Sequence, residues 1–445
     1  FHVPESFDRI IVGGTVWTPN GPVDTDIGIR SGRVAAFGHL RGSKASDIFD
    51  AGGLTVLPGV IDSQVHFREP GLEHKEDLEA GTRGAALGGV VAVFEMPNTD
   101  PPTTTADAIN DKISRALGRA WVDFSFFVGA SAENAIELKT LERLPGVAGV
   151  KMFMGSSTGS LLVSDDKNVA RVLKNGTRRM AVHCEDEDRL QERLHLVKGG
   201  APVAMHAEWR DAETALRATK RLVRLARETG RRVHTLHIST AEEMEFLEDN
   251  RDIATVEVLP QHLTLSAPEA YERLGTLAQQ NPPIRAARHR EALWKAVRDG
   301  IVDCIGSDHA PHTLEEKQRP YPQSPSGMTG VQTLVPIMLD HVNAGRLTLQ
   351  RFIDLTSAGP ARVYGVASKG RIALGFDADL TIVDLKAKRT ITNDWIASKS
   401  GWTSYDGQAV TGWPIATIVR GQVVMQNDEV VGNPIGAPTR FTETL

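Results

Sequence analysis

Three textures of hydrophobic and polar positions succeed one another along the chain. Residues 8–18 (DRIIVGGTVWT) alternate on either side of a Gly-Gly pair, and residues 26–38 (DIGIRSGRVAAFG) alternate around Ser31-Gly32. Alternation of period two around a short Gly-containing turn predicts strands and a hairpin. From Leu54 the texture changes to near-continuous apolar runs separated by helix-period stretches. The runs predict strands at Leu54–Ile61, Val90–Glu95, Val122–Val128, Val147–Phe153, Arg178–His183, Val233–Ile238, Ile253–Val258 and Ile301–Ser307. Runs of that kind suit strands covered on both faces. The clearest helix is Glu208–Glu228, with Ala215, Leu222, Val223 and Ala226 on one face and Gly230 placed to end it. Eight strands alternating with helices over about 300 residues predict an α/β fold, specifically a (β/α)8 TIM barrel. A doubly wound open sheet is the alternative. No Gly-rich phosphate loop follows the first strand, which argues against its dinucleotide-binding form.

After Pro360 the alternation returns, in GRIALGFDADLTIVDL (370–385) and ATIVRGQVVM (416–425). The two β regions share one texture and flank the barrel. They are expected to pair into one small β-sandwich built from both chain ends. The expected layout is residues 1–56 and 366–445 in the sandwich and its tail, with residues 57–365 in the barrel.

Composition narrows the function. The 445 residues suffice for one large domain and a smaller one. Net charge is −6 with no long run of one sign, so nucleic acid is not an expected partner. Cys184 and Cys304 are the only cysteines, which makes no disulfide framework and fits a reducing cytoplasm. No apolar stretch approaches the roughly 18 residues of a membrane span. The opening Phe1-His-Val-Pro does not read as a signal peptide, and without an initiating Met the chain is expected to lack a few leading residues.

The chemistry gathers where the predicted strands end. Period two puts Asp62, Gln64, His66 and Arg68 on one side of the chain, directly after an apolar run. Four such side chains in line are costly to bury unless a metal ion and an anionic substrate satisfy them. The plain alternative is an edge strand with a solvated face. Strand two ends in Met96-Pro97-Asn98-Thr99, strand four carries Lys151, strand five ends at His183, strand six at His237, and strand eight runs into Asp308, His309 and His312. The C-terminal ends of barrel strands share one face, where active sites sit. A lone strand-end histidine is most often a satisfied core residue. Three of them with a lysine and an aspartate are hard to explain that way.

Imidazole and carboxylate groups suit Zn²⁺ and similar ions. Lys151 is the odd member, because an ammonium with an ordinary pKa of about 10.4 cannot ligate a cation. As the neutral amine it would react with CO2 to give a carbamate, whose two oxygens could bridge two metals. An ion pair at the barrel mouth is its plain alternative. Arg68 offers a planar fork for a carboxylate, against the alternative of an ion pair with Glu69 or Glu73. Asn98 follows a proline and would serve equally as a turn residue.

Taken together, these segments resemble the amidohydrolase superfamily, and within it the dihydroorotase family. The resemblance is carried by DSQVHFREPGLEHKEDLEAG (62–81), EMPNTDPPTT (95–104), VKMFMGSSTG (150–159), AVHCED (181–186), LHIST (236–240), NPPIR (281–285), SDHAPHTLEEK (307–317) and GRIALGFDADLTIVD (370–384). It runs from about residue 8 to residue 425, and its specificity lies in the combination. What it implies is a zinc enzyme interconverting dihydroorotate and N-carbamoyl-L-aspartate, with one or two ions per chain. His66, His183 and His237 match metal-binding histidines, and Lys151 matches a carboxylated bridging lysine. Asp308 matches a metal ligand that doubles as general base. Arg68, Asn98, Asn281 and His312 match positions that hold the substrate, chiefly its exocyclic carboxylate. A homodimer is common in the resembling family.

The chain departs from the family at Gln64, where the usual pattern is His-x-His, and at Pro260-Gln-His-Leu263, where it is Pro-His-His-Leu. A neutral amide is a poorer zinc ligand than imidazole, so either a weaker second ion or a single ion is expected. Two competing readings remain: another cyclic amidase (allantoinase or hydantoinase), and a non-catalytic scaffold for aspartate transcarbamoylase. The proline- and charge-rich segment Asp308–Met328 is expected to be a mobile loop over the site.

Overall fold

The computed structural model describes residues 6–445, so the opening Phe1-His-Val-Pro lies outside the described residues. Eight parallel strands lie side by side in chain order: Val60–Val65, Val90–Glu95, Asp123–Gly129, Val147–Phe153, Met180–His183, Val233–Thr235, Ala254–Val258 and Cys304–Ile305. The eighth is only two residues long, yet its continuation closes the ring. Val65 pairs in parallel with His309, and the His66 N–H donates to the His309 carbonyl at 2.7 Å. An open doubly wound sheet would keep two free edges, so this closure decides for the TIM barrel.

The helices hold the strands dry on the outside. The expected helix Glu208–Glu228 forms as two pieces, Met205–Trp209 and Ala212–Thr229. The break comes from Asp211, whose carboxylate caps the second piece by accepting from the Thr214 N–H at 2.9 Å. That helix ends, as its pattern predicts, at Gly230 with φ 71°.

The apolar run Leu54–Ile61 is divided between two sheets. Thr55–Pro58 pairs antiparallel with Leu380–Thr390, and the barrel strand starts at Val60. The joint is Gly59, where a Cβ would meet Val91 Cγ2 at 2.5 Å and Asp379 Cβ at 2.9 Å. The sheet that Thr55–Pro58 joins has seven strands from both chain ends, including Thr15–Thr18, Ala409–Val419 and Gln422–Gln426. A four-stranded sheet of Ser6–Val12, Asp26–Arg30, Arg33–Gly38 and Lys44–Asp50 completes the sandwich. Ile11, Ile27 and Ile29 of the smaller sheet meet Val16, Val56, Leu380 and Ile418 of the larger in one core. The hairpin turns at Ser31 and Gly32 with φ 50° and 74°, the left-handed pair that suits a two-residue hairpin loop.

Barrel and sandwich are joined by a buried charge cluster. Lys369 Nζ lies 2.7 Å from Asp123, 2.5 Å from Asp379 and 3.1 Å from Asp377. Asp123 opens the third barrel strand. Among the described residues no helix is long and apolar enough to cross a membrane.

Candidate active site

The barrel brings the strand ends to one cavity, lined by Gln64, His66, Arg68, Asn98, Lys151, His183, His237, Asn281 and Asp308 among others. Three of these residues are held in the left-handed region: Arg68 (φ 65°), His237 (φ 38°) and Asp308 (φ 47°). Such backbone costs a non-glycine residue about 1–3 kcal/mol and persists only where the surroundings over-determine it.

Lone pairs converge on one side of the cavity. His183 Nε2 lies 2.8 Å from Glu185 Oε1, a fully buried carboxylate that Arg210 also grips. That carboxylate accepts a hydrogen from Nε2 and leaves Nδ1 as a lone pair, 3.0 Å from His237 Nε2. Burial lowers the pKa of both rings, that of His237 most strongly, so both are neutral. His66 is fixed in the same manner. Asn98 Nδ2 donates to the Thr158 carbonyl, which turns its Oδ1 toward His66 Nδ1 at 2.7 Å. The hydrogen of His66 therefore sits on Nδ1, and its Nε2 lone pair faces Asp308 Oδ1 at 3.1 Å. Burial holds His66 down at about 4. Two acceptors face to face call for a cation between them.

Lys151 completes the group. It is 1 % exposed, and among the described residues no carboxylate pairs with it; its Nζ lies 3.6 Å from the Met96 sulfur and over the Phe153 ring. Burial pulls its pKa down to about 8, which makes the neutral amine accessible. The ion pair at the barrel mouth does not form. Neutral imidazoles with oriented lone pairs, a carboxylate and an unpaired amine fit a divalent cation.

The opposite side suits an anion. Arg68 is 1 % exposed, and its Nε donates to the Pro311 carbonyl at 3.1 Å. The alternative partners are taken: Glu69 pairs with Arg119 at 2.6 Å, and Glu73 lies toward Arg115. Among the described residues no carboxylate pairs with Arg68. Burial lowers its pKa only to about 10, so it stays charged. Asn281 lines the same region, with its Oδ1 2.8 Å from His206 Nε2. His312 is buried but does not line the cavity. It sits behind Arg68, with its Nε2 2.9 Å from the Ser326 carbonyl and its Nδ1 2.8 Å from Lys75 Nζ.

A model of the amidohydrolase family matches residues 55–424. The chain belongs to the amidohydrolase family. Its relatives include a dihydroorotase of Methanosarcina acetivorans, 35% identical over 92% of this chain and 90% of that protein, and one of Halobacterium salinarum, 37% identical over 84% and 87%. An L-hydantoinase of Paenarthrobacter aurescens is 32% identical over 96% of both chains. The solved structure of an L-hydantoinase (dihydropyrimidinase) from Arthrobacter aurescens superposes with a TM-score of 0.93 at 30% identity, covering 97% of this chain and 99% of that one. Family membership together with these relatives establishes a hydrolase acting on cyclic amides.

In this amidohydrolase site, Gln64 points its Nε2 at Asp308 Oδ1 at 3.3 Å, and its buried Oε1 finds no partner among the described residues. Asp62 lies one layer deeper and accepts from the Ser307 N–H at 3.0 Å. Glu185, Arg210, Ser157 and Thr158 also belong to the site and are not among the sequence candidates. Glu185 had a signal, two positions after a strand-end histidine. Arg210 had none, because the contact that matters spans 25 positions. The structure also groups His234, Glu257 and Cys304 inside the barrel, and Asp123, Asp377 and Asp379 around the Lys369 ammonium.

Proposed function

We propose that the chain is a dihydroorotase: a zinc-dependent cyclic amidase that interconverts (S)-dihydroorotate and N-carbamoyl-L-aspartate in cytoplasmic pyrimidine synthesis. The observation that carries this reading is Arg68, a buried guanidinium facing the cavity that no anion among the described residues pairs with. A buried unpaired charge is expensive, and a substrate with a ring carboxylate is the natural counter-ion. The unsubstituted ring of a hydantoin offers none.

His183, His237 and Lys151 would hold one zinc ion, with Lys151 as its carbamate; His66 and Asp308 would hold a second, weaker one beside Gln64. Bound zinc supplies Lewis acidity, lowering the pKa of water and polarising the scissile carbonyl. Asp308 takes the proton of the attacking water and returns it to the departing ring nitrogen. Arg68 forks onto the substrate carboxylate, with Asn98 and Asn281 at its sides and His312 behind it. The strained backbone at Arg68 and Asp308 fixes these groups before substrate arrives, which spares reorganisation during the reaction.

The second reading is a hydantoinase, favoured by the close superposition on an L-hydantoinase. The experiment is metal content per chain and hydrolysis of dihydroorotate and of a hydantoin, all on one sample purified without chelator. Zinc with dihydroorotate turnover supports the proposal. Turnover of the hydantoin alone transfers the chain to the second reading. No tightly held metal and no turnover after adding zinc and bicarbonate would leave a non-catalytic scaffold.

A further inference from the structure

We infer that Lys75 and Glu76, adjacent residues in the loop after the first barrel strand, are positioning residues: Lys75 sets His312 and through it Arg68, and Glu76 sets His309 and through it Asp308. The Lys75 half rests on the proposed carboxylate role of Arg68; the Glu76 half holds for any cyclic amide. Neither residue lines the cavity.

Lys75 Nζ lies 2.8 Å from His312 Nδ1 and 2.9 Å from Glu316 Oε2. An ammonium only donates, so His312 Nδ1 is the acceptor and the ring hydrogen sits on Nε2. There the Ser326 carbonyl accepts it at 2.9 Å. Arg68 Nη2 stands 3.3 Å from the same Nε2. With a hydrogen on both nitrogens no bond forms between them, and Nη2 stays free for the cavity. Without Lys75 the ring hydrogen could move to Nδ1. Nε2 would then accept from Arg68, draw the guanidinium back and release Ser326 from the cavity wall.

Glu76 works on the other histidine. It is fully buried, with Oε2 2.9 Å from His309 Nε2 and Oε1 accepting from the Lys399 N–H at 3.1 Å. His309 Nδ1 accepts from the N–H groups of Gly330 and Val331 at 3.0 and 3.3 Å, so its hydrogen must be on Nε2. The His309 carbonyl accepts from the His66 N–H, and its own N–H donates to Ser307 Oγ at 3.0 Å. Asp308 is thus caught between two anchored neighbours, which holds its left-handed φ of 47°. Glu76 pins the ring from the outer side.

Steady-state kinetics of Lys75→Met and Glu76→Gln test the pair. Lys75→Met is expected to raise KM for dihydroorotate about tenfold with kcat nearly unchanged, and Lys75→Arg, which still donates to Nδ1, to restore it. Glu76→Gln is expected to lower kcat about tenfold with KM nearly unchanged. Losses shared equally between kcat and KM in both variants, or no loss, would overturn the inference, since a merely structural pair gives no split. If wild-type protein hydrolyses only a hydantoin, the functional proposal fails while the Glu76 arm is still read on that substrate. The Lys75 arm is read without turnover from the nitrogen NMR of ¹⁵N-histidine-labelled protein. His312 bearing its hydrogen on Nδ1 in the wild type sinks it, as does a His312 tautomer that Lys75→Met leaves unchanged.

Discussion

Single side chains divide the work of this site by what they lack. Among the described residues no anion pairs with Arg68 and no carboxylate with Lys151, although both are 1 % exposed. Replacing Arg68 with methionine keeps the volume and removes the fork. KM for dihydroorotate should rise roughly 10- to 100-fold, the worth of a charge-assisted pair, while zinc content stays at the wild-type value. Normal dihydroorotate binding by Arg68→Met would discard the substrate assignment. Asp308→Asn keeps the shape and removes the base, so kcat should fall by about 10²–10⁴ with an unchanged unfolding midpoint. Residual turnover near the wild-type rate would move the base elsewhere.

At the scale of elements, the site depends on how the segment 308–328 is fastened. Thr313 and Glu316 form a capping box on the short helix Leu314–Lys317, and Lys75 reaches Glu316 from the opposite loop. Lys317 Nζ donates to the carbonyls of Gln279 and Pro325, which closes the segment against the loop after barrel strand seven. Burial alone would raise the pKa of Glu316, but hydrogen bonds from Lys75 and the Thr313 N–H outweigh it and hold the pKa at about 2. A folded pKa below the ordinary value stabilises the protein above the usual carboxylate range, and that stabilisation fades as pH falls toward 2. Because the pair is partly open to water, its worth is about 1 kcal/mol. In urea titrations, wild type should exceed Glu316→Gln by that amount near neutral pH, and the gap should shrink by more than half by about pH 3. A gap independent of pH would assign the role of Glu316 to packing.

At the scale of the whole molecule, a buried cation helps to join barrel and sandwich. Lys369 meets Asp123 of the barrel and Asp377 and Asp379 of the sandwich, with Arg420 3.1 Å from Asp123. The nearby carboxylates push the pKa of Lys369 well up despite burial, so it stays an ammonium at any ordinary pH. Lys369→Met would leave buried acids uncompensated and should cost about 3–5 kcal/mol, seen as a lowered thermal midpoint. If the barrel and sandwich share this joint as one unit, the loss appears as an earlier single transition. An unchanged midpoint would show that Arg420 alone balances the acids.

Much of this was legible in order along the chain. Eight apolar runs announced the barrel, Ser31-Gly32 the hairpin and Gly230 a helix end, because periodicity and turn chemistry are local properties. His66, Lys151, His183, His237 and Asp308 were legible too, since every strand of a closed barrel delivers its C-terminal end to one face. Contacts between distant segments carried no such mark. Leu54–Ile61 reads as one strand, yet it is shared by two sheets, because Asp379 and Val91 crowd Gly59 from far along the chain. Ile301–Ser307 reads as a full strand, yet only Cys304–Ile305 forms one and His309 closes the ring. The alternation of Asp62, Gln64, His66 and Arg68 predicted four side chains on one side; burial then decided that Arg68 would stand charged and unpaired while Glu69 went to Arg119. Lys75 and Glu76 look like a solvated charge pair. Their partners lie 237 and 233 positions away, and no local pattern can encode a hydrogen bond across that distance.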